Sequence, residues 1–200
     1  MAINPDYLVT LTDLQAQLAA AGLTKQGYTP ADHNLAAWTD DPNRAGSGQL
    51  LGTAGTIIGA RIYMPAASTV GGIWTHVVVS GATLTTGQCF AALWDSAGAL
   101  LDTSVDQAAN WAAAAGPKLA SFATATTRPA GFYDIGVWFN GTTSPQLLRG
   151  ASHSSMNLKL TGQAIRYWTA DTGRTTTAPA TLGTKTAQGA SLWFALNPTV

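Results

Sequence analysis

Residues 131–140 read Gly-Phe-Tyr-Asp-Ile-Gly-Val-Trp-Phe-Asn, and this stretch decides the fold class. Two sets of side chains alternate along it with the period of two that is typical of a β-strand. The sets are Tyr133, Ile135, Val137 and Phe139 on one side, and Phe132, Asp134, Gly136 and Trp138 on the other. Because neighbouring strand residues point to opposite faces, we expect one set to pack inside and the other to face water or a partner.

Similar short apolar runs, separated by Gly, Pro or Asn, follow one another through the rest of the chain from Leu50 onward. This punctuation is typical of an all-β domain. In residues 73–79, for example, Ile73 and Val77 share one face while Trp74 and His76 share the other. The predicted strands are residues 56–64, 73–80, 89–95, 100–104, 118–123, 131–140, 146–149, 157–160, 164–169 and 191–197.

Turn signals connect these runs into an antiparallel arrangement. Residues 95–98 predict a hairpin, and Asn140-Gly141 is the strongest turn dipeptide of the chain. Residues 106–115 look helical and end at Gly116-Pro117, so we interpret them as a crossover at one end of a sandwich. Residues 29–49 are rich in turn formers and are predicted to be irregular. The sequence therefore predicts a jelly-roll-like, two-sheet β-sandwich over residues 29–200.

Residues 1–28 differ from this pattern and predict a short helical arm. Thr12 and Gln15 fit a capping box, so a helix is expected over about residues 12–21. Its apolar stripe is Leu11, Leu14 and Leu18. Two interpretations stay open: an amphipathic helix that docks on its own domain, or a short anchoring or oligomerising helix.

The composition disfavours several classes of function. All ten acidic residues are Asp, only 10% of the residues are charged, and the formal net charge is zero. We therefore expect no nucleic-acid binding and no attraction to an anionic membrane. No apolar run is long enough to span a bilayer, and the N-terminus lacks the pattern of a Sec signal.

The residue types that carry catalysis are few and scattered. The three histidines are His33, His76 and His153, and Ser152 beside His153 would point to the opposite face of a strand. Most Asp side chains sit in turn contexts, where they stabilise the local backbone. Asp40-Asp41 offers oxygen ligands without the spacing of a known calcium loop. We expect no enzyme activity, no metal and no cofactor.

Aromatic residues are the one enriched residue class that could form a binding surface. Seven Trp are present, and most are expected in the core, with Trp111 filling one end of the sandwich. The candidates for surface binding are Trp138 and the pair Tyr167 and Trp168, because adjacent strand residues cannot both face one core. They are predicted to stack on a sugar or to fill a subunit interface.

Several of these segments together resemble the β-sandwich domains of actinobacteriophage minor tail and fibre proteins. The segments are TPADHNLAAW (residues 29–38), ARIYMPAA (60–67), GATLTTGQ (81–88), FAALWD (90–95), LLDTS (100–104) and AGFY (130–133). The resemblance covers roughly residues 29–150 and implies a non-enzymatic virion protein, displayed on the particle beside other virion proteins. It also implies a homo-oligomer, with a trimer favoured.

The sequence thus favours a virion tail or fibre-type protein that is anchored through residues 1–28 and has a host-surface binding role. One alternative is a capsid decoration or head-fibre protein. An alternative from another class is a carbohydrate-binding module, which would bind a host cell-surface glycan.

Overall fold

The computed structural model describes residues 13, 28–150, 165–189 and 191–199, and this part of the chain is mostly antiparallel β-sheet. A short α-helix, α1, spans Ala108–Ala112, and 3₁₀ turns span Pro30–His33 and Pro42–Arg44. The strands are β1 (Ala37–Trp38), β2 (Ala45–Leu50), β3 (Ile57–Met64), β4 (Ser68–Val79), β5 (Ala82–Leu84), β6 (Phe90–Asp95), β7 (Leu100–Thr103), β8 (Gly116–Arg128), β9 (Gly131–Trp138), β10 (Gly141–Thr143), β11 (Gln146–Gly150), β12 (Tyr167–Ala170), β13 (Thr186–Ala187) and β14 (Ala195–Pro198).

Three parts of the prediction fall outside these ranges. Leu11, Leu14 and Leu18, with the rest of the predicted helix apart from residue 13, are not among the described residues, and neither is the predicted strand at 157–160. Ser152 and His153 lie outside them as well. Within the described residues, no helix has both the length and the apolar character needed to cross a membrane.

The strands of the described residues form two six-stranded sheets and one small ribbon. The first sheet has the order β1-β14-β4-β11-β2, with β8 paired along the opposite edge of β4. The second has the order β13-β12-β3-β9-β6-β7, and β5 pairs with β10 separately. A bridge between Ser104 and Phe122 joins the two sheets at one edge.

The first core lies between the two sheets, which gives the β-sandwich-like arrangement that the alternation predicted. The first sheet contributes Val70, Ile73, Val77, Ala120, Leu147 and Leu196, and the second contributes Ile58, Ile62, Leu93, Tyr133, Ile135 and Val137. Trp111 of α1 is fully buried in the same cluster, in agreement with its expected place in the core.

A second core lies on the outer face of the second sheet. It consists of Ile57, Ala92, Trp94, Trp138, Trp168, Ala170 and Leu182. Residues 171–185, which we call the covering segment, cross this face. The indole N–H groups of Trp94 and Trp138 donate to the backbone carbonyls of Pro179 and Thr175, each at 3.0 Å. The covering segment therefore excludes water from a sheet face that alternation alone assigned to solvent or a partner.

The structure corrects the strand prediction in two further places. Residues 29–49 are not wholly irregular, because β1 pairs with β14, and β2 pairs with β11 despite its Gly and Ser residues. Edge pairing to a neighbour overrides the weak intrinsic preference of such residues for strands. The crossover helix is shorter than predicted, since Ala113 is extended and Gly116 begins β8 at φ 137°.

Candidate functional site

The residues that were predicted to bind at the surface are buried. Trp138 and Trp168 are fully buried, and Tyr167 is 5% exposed. The two neighbouring side chains do point to opposite faces of the strand, since Tyr167 joins the first core and Trp168 the second. Their predicted exposure was wrong because both faces of β12 are covered.

Trp168 lies over a floor made by two glycines that are cross-strand neighbours, Gly59 of β3 and Gly136 of β9. A Cβ atom on Gly59 would lie 2.5 Å from Cη2 of the Trp168 ring. One on Gly136 would lie 2.6 Å from Cγ2 of Ile57. Only glycine leaves room for the indole at this depth, so these two residues shape the second core.

Tyr167 closes the sandwich through a polar cluster. Its hydroxyl and that of Ser191 both donate to Asp40 Oδ2 at 3.1 Å. Burial raises the pKa of Asp40, although the two hydroxyl hydrogen bonds oppose the shift. The pKa of Tyr167 is also raised, first by burial and then by the nearby Asp40 charge. The indole of Trp193 donates to the Asp40 carbonyl at 3.0 Å, which ties the start of the described domain to its end.

The open part of the same outer face carries an exposed aromatic pair. Tyr63 of β3 and Phe132 of β9 face each other across the two strands, with ring centroids 4.9 Å apart. Each is 53% exposed, which is unusual for side chains of this size. They line an open groove of about 500 Å³, which we call the aromatic groove; its lining is Trp38, Thr39, Arg61, Ile62, Tyr63, Phe132 and Arg166.

The strand pairing explains why this groove is open. β12 pairs with β3 only along Ile57–Ala60, and the last contact is a hydrogen bond of 2.7 Å from the Arg61 N–H to the Arg166 carbonyl. Beyond Arg61, no strand among the described residues pairs with this edge of β3, which borders the groove. Half-buried Trp38, on β1 of the first sheet, forms the opposite wall.

Two arginines and a buried carboxylate set the charge of the groove. Asp134 is fully buried and accepts from Arg61 at 2.9 Å and from Lys185 at 2.6 Å. Burial lowers the pKa of Lys185, while its contact with Asp134 opposes that shift. Arg61 also lies 6.0 Å from the centroid of the Phe132 ring. Arg166 is exposed, with its guanidinium 5.7 Å from the ring of Tyr167.

Several residues whose side chains could take part in catalysis or metal binding have structural roles or are buried. His33 packs edge-on between Tyr28 and Trp38, with ring centroids 5.7 and 5.3 Å away. Asp41 accepts from the N–H of Asn43 and caps a 3₁₀ turn, as the turn interpretation of Asp predicted. Cys89 is fully buried, and burial raises the pKa of its thiol. Among the described residues, no group of three or more His, Cys, Asp or Glu side chains is placed to hold a metal ion.

The alternation in residues 131–140 points to the groove, although Phe132 is not among the predicted binding residues. Phe132 and Trp138 belong to the same alternating set, and both are on the outer face of β9. Trp138 lies at the covered end of the strand and Phe132 at the open end. The pattern identified the face, but only the position of the covering segment distinguishes its two ends.

No protein-family model matches the chain. A search of curated proteins likewise finds no relative.

Proposed function

We propose that this chain is a non-enzymatic structural protein of a bacteriophage virion, displayed on the particle as a minor tail or fibre-type protein that binds the host surface. The observation that carries the binding role is the exposed pair Tyr63 and Phe132 in an open groove. Elsewhere on the same face, large aromatic side chains are sealed under the covering segment. Exposed apolar surface of this kind marks interaction sites.

The virion assignment is supported by the resemblance of residues 29–150 to fibre-type sandwich domains and by the mostly antiparallel fold. The proposal includes a jelly-roll-like strand arrangement, a helical anchor at Leu11, Leu14 and Leu18, and assembly as a homotrimer beside other virion proteins. Light scattering on the purified full chain is expected to give three times the chain mass, and the mass of a single chain would contradict the trimer.

Gold-labelled antibodies on intact particles test the location. We expect label at the tail or at fibres. Label on the capsid would favour the alternative, a capsid decoration or head-fibre protein, and particles without label would overturn the virion assignment. A full-length variant with Leu11, Leu14 and Leu18 changed to Ala should fold but leave the particle, since those side chains supply the proposed anchor.

A carbohydrate-binding module remains the second candidate, and the aromatic groove favours it because sugars stack their C–H faces on exposed aromatic rings. The host-binding role is tested by adsorption of particles that carry Phe132→Ala. We expect slower adsorption than with Thr86→Ala, a substitution at an exposed turn residue outside the groove. Equal adsorption of the two variants would place the host contact elsewhere.

A further inference from the structure

The aromatic groove combines two kinds of wall, and each restricts what can bind there. Tyr63 and Phe132 meet at 52°, and Trp38 faces them from the other sheet. Such rings accept an apolar surface of small area, such as one face of a sugar ring. The volume of about 500 Å³ lies within the range of small-molecule sites and is small for a folded partner.

The charges around the groove do not cancel. Arg61 and Lys185 share the single carboxylate of Asp134, so this group of three side chains carries one net positive charge. Arg166 forms no salt bridge with any described residue and lies along the groove wall. A further acid, Asp40, interacts with Arg166 and also with Arg44, and its carboxylate already accepts two hydroxyl hydrogen bonds.

We propose that the aromatic groove binds an acidic saccharide, with a sugar ring against Tyr63 and Phe132 and its carboxylate held by Arg166 and Arg61. An arginine guanidinium matches a carboxylate geometrically and forms strong, charge-assisted hydrogen bonds with it. Neutral sugars would leave the net positive charge uncompensated. This inference rests on the proposed host-binding function and specifies its ligand class.

An acidic peptide satisfies the charge but uses the aromatic rings less well, because a short acidic side chain offers no apolar face. It could instead pair its backbone with the edge of β3 beyond Arg61, where no described strand is paired. Three probes can therefore distinguish the contributions of the carboxylate, the sugar-ring face and the peptide backbone to binding.

The test is calorimetric titration of the full chain with three probes: trigalacturonic acid, its methyl ester and a triaspartate peptide. We expect the acid to bind at least about tenfold more tightly than the ester, since the ester keeps the ring faces and loses the charge. We also expect its affinity to fall as salt is added. Equal binding of acid and ester, equal or tighter binding of the peptide, or no binding of the acid would each overturn the proposal.

Substitutions locate the binding within the groove. Phe132→Ala and Arg166→Gln should each weaken trigalacturonate binding by about tenfold. Arg149→Gln, on the first sheet, is the matched control and should leave it unchanged. Arg61 is left intact because it pairs with buried Asp134. Unchanged binding in both groove variants, with unaltered thermal melting, would also overturn the site. Particle labelling does not depend on these titrations. The proposed virion role and the proposed ligand class can therefore be disproved independently of each other.

Discussion

The outer face of the second sheet has two ends that differ in their relation to water, although β3 and β9 supply both. At the covered end, Trp138 and Trp168 are fully buried beneath residues 171–185. At the open end, Tyr63 and Phe132 expose about half of their surface. The strands themselves are regular across both ends. A sheet face is therefore buried or exposed according to what crosses it, and the same aromatic residue types occur in both settings.

The largest expected effect is at the covered end. Trp168→Ala removes a fully buried ring and leaves a cavity over two glycines, so we expect a loss of about 3–5 kcal/mol in the free energy of unfolding. Phe132→Ala at the open end should cost about 1 kcal/mol or less, because half of that side chain is already in water. Urea denaturation measures both. Similar losses in the two variants would show that the two ends do not differ as described.

The next effect concerns the glycine floor. Gly136→Ala places a methyl group 2.6 Å from Ile57 Cγ2 and 3.1 Å from Trp94 Cζ3, so the second core must shift at a cost of about 1–3 kcal/mol. Gly46→Ala in β2 is the control, since a methyl group there meets nothing within 4 Å. Comparison of the two melting temperatures checks this, and a Gly136 variant as stable as the control would contradict the close packing.

Lys185 marks the border between the two ends, since it belongs to the covering segment and contacts Asp134. Lys185→Met removes one charge-assisted hydrogen bond but leaves Asp134 paired with Arg61, so a loss of about 1–2 kcal/mol is expected. Amide hydrogen exchange should show faster exchange at Leu182 and Gly183 than in the unaltered protein. Protection that does not change would mean that Lys185 does not hold the covering segment.

The smallest expected effect is a change in the pH dependence of the free energy of unfolding, caused by Asp40. Since burial raises its pKa in the folded state, the folded chain binds this proton more tightly than the unfolded chain does. The free energy of unfolding therefore falls as pH rises from the ordinary aspartate pKa through the raised one. The side chain in the Asp40→Asn variant cannot ionise and still accepts one hydroxyl hydrogen bond. The fall in the free energy of unfolding that Asp40 causes as pH rises should therefore disappear in this variant. Urea midpoints measured from about pH 4 to about pH 7 test it, and an unaltered slope would exclude Asp40 as its source.

Many strand positions could be predicted from the sequence because the information that specifies a strand is local. The alternation in residues 131–140 grouped Tyr133, Ile135 and Val137 on one face, and all three lie in the first core. The turn at residues 95–98 forms as expected, with Asp95 accepting from the N–H of Ala97 and Ala99. Strand periodicity and turn chemistry involve neighbours within a few residues, so one sequence carries them.

The binding candidates could not be predicted in the same way. The covering segment contains Thr, Gly, Ala and Pro without periodicity, and its one large apolar residue in the second core is Leu182. Its path over the sheet depends on long-range hydrogen bonds, such as the 2.8 Å bond from the Leu182 N–H to the Gly98 carbonyl. Whether Trp168 is buried and Phe132 exposed follows from that path, and strand alternation does not encode it.

The burial of Cys89 has a practical consequence for imaging. The thiolate is the form that reacts with maleimides, and Cys89 is fully enclosed with a raised thiol pKa, so it should react slowly in the folded protein. It is the only cysteine of the chain. A second cysteine at an exposed position, such as Ala114→Cys, would then accept a fluorophore or gold cluster selectively. The unaltered chain thus provides little background labelling, so that one probe could be attached per copy to test the proposed display on a virion.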